Sequence, residues 1–224
     1  MFAVIFEVNP KPGLRDEYLG YAKLLKPELE KIDGFIDNER FASKRRDGWL
    51  LSLSTWRDEK AVIRWRTFGA HHAIQEKGRA KVLRDYHLRV GEIVADTHLP
   101  SGEGLREQRF DETETGTAKL VTVTERMLEA LPPEPDIGML ASRLGAPPQG
   151  AHPGLVGWDA FESIYRPGKF ILLSSWRDAA AAKAWPAEGG GARRRSVRVI
   201  RDYGMFDRGE APQYYPPVRD APAA

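Results

Sequence analysis

The sequence predicts an α+β protein built from two βαββαβ units fused in one chain. Three observations point to this. The phrase "LSTWRDEK" at 53–60 returns as "LSSWRDAA" at 173–180. Each copy sits in the same succession of strand-like alternation, helical periodicity and Gly-marked reversals. Between the copies lies "LPSGEGLREQRFDETETGT" (99–117), polar and Gly-bearing, as a linker should be.

Residues 34–58 align with 154–178 without a gap. Gly34, Phe41, Ser43, Arg46, Gly48, Leu53, Ser54, Trp56, Arg57 and Asp58 meet identical residues, ten matches in 25 positions. Trp65 against Trp185 extends the register. "VLRDY" (82–86) then echoes "VIRDY" (199–203) at a spacing of 117 instead of 120, which implies three residues lost from the second copy.

The elements of one copy can be justified in order. "FAVIFEV" (2–8) is rich in β-branched and aromatic residues and predicts a strand. Residues 14–32 predict a helix, with Leu14, Tyr18, Tyr21, Leu25, Leu29 and Ile32 on one stripe and Pro27 expected to kink or restart it. "GFIDNERFAS" and "WLLSLSTW" flank a hairpin at Asp47-Gly48, where Gly supplies the positive φ of a tight reversal. Pro167-Gly168 serves the second copy. A second helix follows Trp56, with Val62, Trp65 and Phe68 at helical spacing, and then a strand at 86–96. The second copy starts at 118–127, has a shorter helix near 136–144 and ends at "VRVIRDYGMF".

This is the ferredoxin-like order. "FILL" (170–173) is apolar on both faces, so both faces of its sheet should be covered, most simply by the other repeat. The expected fold is a pseudo-two-fold α/β barrel. Its parts are an N-terminal repeat (1–98), a linker (99–117), a C-terminal repeat (118–208) and a Pro-rich tail (209–224) extended over the surface or frayed. Within the repeated phrase, Trp56 ends a strand and Asp58 and Asp178 stand where helix N-caps belong, each worth roughly 0.5–2 kcal/mol.

Composition excludes several functions. With 34 basic and 32 acidic residues the net charge is +2, no footprint for nucleic acid. "KRR" (44–46) and "RRR" (193–195) read as solvated turns or helix faces. There is no cysteine, hence no disulfide, thiolate metal site, iron–sulfur cluster or Cys nucleophile. The five histidines form no His-x-x-x-His pair, and no dedicated metal site is expected. The apolar start lacks a basic n-region and is too short for a signal or membrane span, so a cytoplasmic protein with no membrane partner is expected.

Chemistry is better sought where the copies disagree. Six residues after Trp65 stands His71, followed by His72; six after Trp185 stands Gly191. On an unbroken helix His72 shares the Trp65 face and His71 is rotated away by about 120°. Gly69 can interrupt that helix, and the periodicity argument then fails.

The stretch "STWRDEKAVIRWRTFGAHHAIQEKGR" resembles the antibiotic biosynthesis monooxygenase family of dimeric α/β barrels. Its pattern of W-R, a second W and then H-x-x-x-Q-x-x-G-R falls on Trp56, Arg57, Trp65, His71, Gln75, Gly78 and Arg79. The resemblance covers 2–96 well and 118–208 more weakly, and matches a fused version of a barrel usually built from two chains. It selects His71 over His72. It implies cofactor-free oxygenation of a phenolic or enolic substrate: a base ionises the substrate and the anion reacts with O₂.

Two other readings come with the resemblance. Haem-binding and haem-degrading relatives carry an axial His, a Trp on the same helix and an Asn in the first strand. Here Trp65 corresponds, but the Asn place reads Phe6 and the His arrives about one turn early. The third reading is a non-catalytic ligand-binding or stress-related barrel. The expectation is therefore one pocket in the N-terminal half, with His71 and His72 as catalytic candidates. Trp65, Phe68, Asn9 and Tyr86 would bind a small hydrophobic aromatic molecule. No bound cofactor is expected, haem being the alternative, in a monomeric pseudo-dimer or a homodimer.

Overall fold

The computed structural model describes residues 1–132, 134–148, 150, 152–185 and 191–215. The first repeat runs β1 (Phe2–Pro10), α1 (Arg15–Leu29), β2 (Phe35–Ser43), β3 (Leu50–Trp56), α2 (Glu59–Thr67), α3 (Gly69–Lys77) and β4 (Leu83–Asp96), with a π-helical turn at Gly78–Val82 before β4. The second runs β5 (Leu120–Met127), α4 (Ile137–Leu144), β6 (Leu155–Ser163), β7 (Lys169–Trp176), α5 (Ala179–Ala184) and β8 (Arg193–Gly204). Pro27 does not restart α1, which runs unbroken from Arg15 to Leu29; it sits in the last turn, where the helix is about to end.

The eight strands close into one antiparallel barrel in the order β1-β3-β2-β6-β7-β5-β8-β4. Each repeat contributes the ferredoxin-like order, β4-β1-β3-β2 and β8-β5-β7-β6. The seams between them are a short β2–β6 pairing, Phe41↔Ser163 to Ser43↔Phe161, and a long β4–β8 pairing, His87↔Gly204 to Asp96↔Arg195. Closure leaves no sheet edge to template aggregation.

Period-2 alternation divides each strand between two environments. Ala3, Ile5, Leu51, Leu53, Val121, Val123, Ile171 and Leu173 fill the barrel interior. Phe2 and Trp56 pack outward against the first repeat's helices, Phe170 and Leu172 against α4. "FILL" is thus apolar on both faces because both are covered. Asp58 and Asp178 cap α2 and α5, accepting from the amides of Ala61 at 2.8 Å and Ala181 at 2.7 Å. Gly48 (φ 73°) and Gly168 (φ 83°) make the two hairpin reversals.

The interior also holds charge, and here the sequence reading needs correction. The 44–46 cluster is the expected turn, with Lys44 and Arg45 exposed, but its Arg46 is paired, and the 193–195 run is strand and not a solvated face. Arg46 joins Glu7 and Asp159 across the repeats. Arg193 and Arg195 open β8, pairing with Asp96 at 2.7 Å and Glu125 at 3.4 Å, and Arg195 is only 2% exposed. Lys169 bridges Glu39 (2.6 Å) and Glu125 (2.8 Å). A buried ion can be kept only by a partner of opposite sign, so these charges pin the seams of the barrel.

Register overturns the "VLRDY"/"VIRDY" echo. Phe2 and Leu120 are equivalent, since they pair with Trp56 and Trp176, and they face Glu92 and Arg198 respectively. The last strands therefore correspond at a spacing of 106 (198 minus 92), not 117. Tyr203 is not the counterpart of Tyr86. It pairs beside Leu88, at the same end of the barrel as Tyr86.

The linker and the described start of the tail are also tied down. The Gln108 and Arg109 amides donate to the Glu92 carboxylate, and Arg109 pairs with Glu59 at 2.7 Å. Tyr215, in the tail expected to extend over the surface or fray, is 7% exposed. The remainder of that expectation, 216–224, lies outside the described residues.

Candidate functional site

A cavity of about 200 Å³ opens between the outer face of β4-β1-β3-β2 and the helices of the first repeat. One half of its floor is apolar, with Val4, Phe6, Leu88 and Val90 projecting from alternate positions of β1 and β4; the other half is polar, with Asn38 and Arg40 of β2 and Ser52 and Ser54 of β3. The matching space in the second repeat is about 10 Å³. There α4 has 8 residues against 15 in α1, and the short cover settles onto the sheet. Trp185 fills the gap and donates to the Gly145 carbonyl at 3.2 Å. Gly191 is described, but 186–190 lie outside the described residues.

The position of His71 depends on a helix break. Phe68 adopts an extended conformation (φ −64°, ψ 123°), ending α2 and starting α3. The chain therefore turns, and the unbroken-helix argument for His72 does not apply. His71 folds back so that its ring stacks on Trp65, centroids 4.2 Å apart and planes 17° apart. Nδ1 lies 2.9 Å from the Trp65 carbonyl oxygen. A carbonyl only accepts, so Nδ1 carries the proton and Nε2 the lone pair. Nε2 has no partner among the described residues. Burial lowers the pKa of His71 to about 4, against the partial compensation of the Trp65 carbonyl. The ring is neutral near pH 7.

Trp65, His71 and Tyr86 line the cavity. Phe68, His72 and Asn9 do not. Phe68 stacks behind Trp65 at 6.0 Å. The His72 side chain is 42% exposed, its Nδ1 3.2 Å from the Tyr215 hydroxyl. Asn9 lies at the far end of β1 beside the Gly48 hairpin, opposite Asp85.

Several wall residues have no counterpart among the sequence candidates. The second repeat sends Tyr203 and Arg208, and the tail after it Gln213 and Tyr215, into the first repeat's cavity, and Arg40, Arg66 and Arg79 join them. Arg79 carries a signal, as the last residue of the family-like pattern; the others carry none. Burial pushes the Tyr203 and Tyr215 phenols up to about 12, so both are neutral donors. Among the described residues, no three His, Asp or Glu side chains gather as metal ligands.

The fold and site define a class: a fused α/β barrel with a cavity in one repeat for a small, largely apolar molecule, the matching space among the described residues of the other being about 10 Å³. A profile of the antibiotic biosynthesis monooxygenase family matches residues 1–77, within the hollow repeat. The chain is 46% identical over 222 residues to "Jasmonate monooxygenase ABM" of Pyricularia oryzae, covering 97% of this chain and 100% of that protein. The chain belongs to the antibiotic biosynthesis monooxygenase family. Among solved structures it is similar to a putative monooxygenase from Lactobacillus acidophilus (TM-score 0.40, 8% identity, 90% of this chain and 94% of that one). An anthrone oxidase-like protein is a further match (TM-score 0.32, 12% identity, 95% of this chain and 96% of that one).

Proposed function

We propose that this chain oxidises a small hydrophobic molecule held in the first repeat's cavity with O₂ and no bound cofactor: the substrate gives up all four electrons, a ring CH of a phenol or the CH₂ beside a ketone becomes a carbonyl, and the second oxygen atom leaves as water. The substrate would be phenolic or enolisable. The observation that carries this reading is the His71–Trp65 stack, which presents an unprotonated, unpartnered Nε2 at a wall of the apolar cavity. Ionising a phenol or the CH beside a ketone makes an electron-rich anion that can reduce O₂ directly. The protein then has to supply a proton acceptor and a dry space. With a pKa of about 4, His71 is a weak base, so the anion needs help from positive charge; this is assigned to Arg40 and Arg66 of the cavity wall. The relative's name, a jasmonate monooxygenase, supports oxygenation of a small molecule.

The test is oxygen consumption over a panel of phenols and enolisable ketones, with wild-type protein and His71→Ala. Turnover that falls about 10²–10⁴-fold in a folded variant supports the base role. Turnover unchanged by the substitution removes His71 from the mechanism.

A further inference from the structure

Most arginines of the barrel interior and its hairpins have carboxylates: Arg46, in the β2–β3 turn, and Arg89 share Glu7, Arg193 has Asp96 and Arg195 has Glu125. Arg194, in the second repeat, is held by the Ala182 and Trp185 carbonyls instead. Arg198, on the β4–β8 seam, has Glu92. The arginines in the cavity wall, Arg40, Arg66, Arg79 and Arg208, have no carboxylate among the described residues, and no Asp or Glu lines the cavity. Arg79 is nevertheless 5% exposed. The Nε atoms of Arg40 and Arg66 are buried without a hydrogen-bond partner. A buried cation is normally neutralised, and the cost of leaving it alone is several kcal/mol.

At one corner two of these cations converge. Arg79, from the π-helical turn before β4, donates to the Tyr86 hydroxyl at 2.5 Å. Arg208, beyond the end of β8, donates to the same oxygen at 2.6 Å. Both guanidinium groups also face the Tyr215 ring, 5.1 and 5.3 Å from its centroid. Their remaining acceptors are main-chain carbonyls of Met205, Gly204 and Gln213, which are neutral. The hydroxyl hydrogen of Tyr86 has no acceptor among the described residues. Two positive charges around one neutral phenol, with an unused O–H between them, lack an anion.

We propose that the Arg79–Tyr86–Arg208 corner is the receptor for the carboxylate of a small hydrophobic acid. This rests on the reading of the cavity as a substrate site; an acid is already what the relative's name, jasmonate, denotes, and what is added is where in this chain its carboxylate is held. One carboxylate oxygen accepts from Tyr86, and free guanidinium N–H groups take the other, giving charge-assisted bonds in a low-dielectric corner. The apolar body then extends along Val4, Phe6 and Leu88 toward Trp65 and His71. A single carboxylate neutralises one of the two charges and, with its planar pair of oxygens, matches the fork of a guanidinium. Because Arg208 belongs to the second repeat, that half keeps a role in binding.

The test is calorimetric titration of the full chain with 4-cyclohexylbutyrate and with its methyl ester, at pH 7.5. The acid should bind about 30-fold or more tighter than the ester in wild-type protein. That ratio should fall to within about 3-fold in Arg208→Leu, and Arg208→Lys, which keeps the charge but loses the fork, should lie between. Equal binding of acid and ester overturns the carboxylate receptor and leaves the cavity reading standing. A ratio preserved in Arg208→Leu, with its unfolding transition intact, moves the anion away from this corner and overturns the assignment. Failure of both probes to bind at millimolar concentration overturns the receptor and the cavity reading together. If Arg208→Leu does not fold, the wild-type ratio and Arg208→Lys still decide.

Discussion

Acidification should destabilise this protein through His71, by an amount that follows from its burial. The folded pKa is about 4, against 6.5 when the ring is free. The folded value is the lower, so between these limits the unfolded chain binds a proton that the folded chain refuses. Stability is therefore retained above pH 6.5 and lost as the pH falls toward 4. A shift of this size is worth about 3 kcal/mol in full, of which about 2.5 kcal/mol is lost at pH 4.5. Acidic groups also titrate in this range, so a reference is needed. His71→Asn provides one, because the Asn amide can still donate to the Trp65 carbonyl and has no proton to gain. Urea unfolding of both proteins at pH 7.5 and 4.5 isolates the difference. Wild type should lose about 2.5 kcal/mol more than the variant. Losses equal to within about 0.5 kcal/mol would mean that His71 titrates as a solvated ring and does not lie packed on Trp65.

Two further predictions concern the barrel and its helices. A Cβ at Gly91 would lie 2.3 Å from the Arg198 carbonyl oxygen and 2.6 Å from Val197 Cγ1, so Gly91→Ala should cost about 3 kcal/mol or more by prising open the β4–β8 seam. Gly20, exposed within α1 with open space where a methyl group would stand, is the control of opposite sign: Gly20→Ala should stabilise by about 0.5–1 kcal/mol in the same denaturation assay. Asp58→Ala and Asp178→Ala should each cost about 1 kcal/mol and add in the double variant, since they cap separate helices. A strongly non-additive result would show that the two repeats couple through these caps.

The parts of the fold legible in sequence are those with short-range or repeated signals. The Trp-Arg-Asp phrase marks a strand end and a helix cap in both copies, and each pattern is completed within a few residues. The asymmetry between His71 and Gly191 points to the half that holds the cavity. It cannot decide which histidine faces it, because the answer turns on the backbone of Phe68, and helical periodicity assumes that no such break occurs. The basic runs mislead for a related reason. Arg46 and Arg195 look like surface residues until the strands bearing Glu7, Asp159 and Glu125 are brought beside them.

Sequence by itself determined the duplication, the order of elements, the two-sided burial of the strands and the family. All of these follow from local propensity, period-2 and period-3.6 patterning, and residue identity. Only the tertiary structure decided the register of β4 against β8, and with it the composition of the site. That pairing joins residues more than a hundred positions apart and carries Tyr203, Arg208 and Tyr215 into a cavity roofed by the other repeat. No local pattern encodes which strand will neighbour which. Barrel closure sets it, and the corner where two unpaired arginines meet exists only once the barrel has closed.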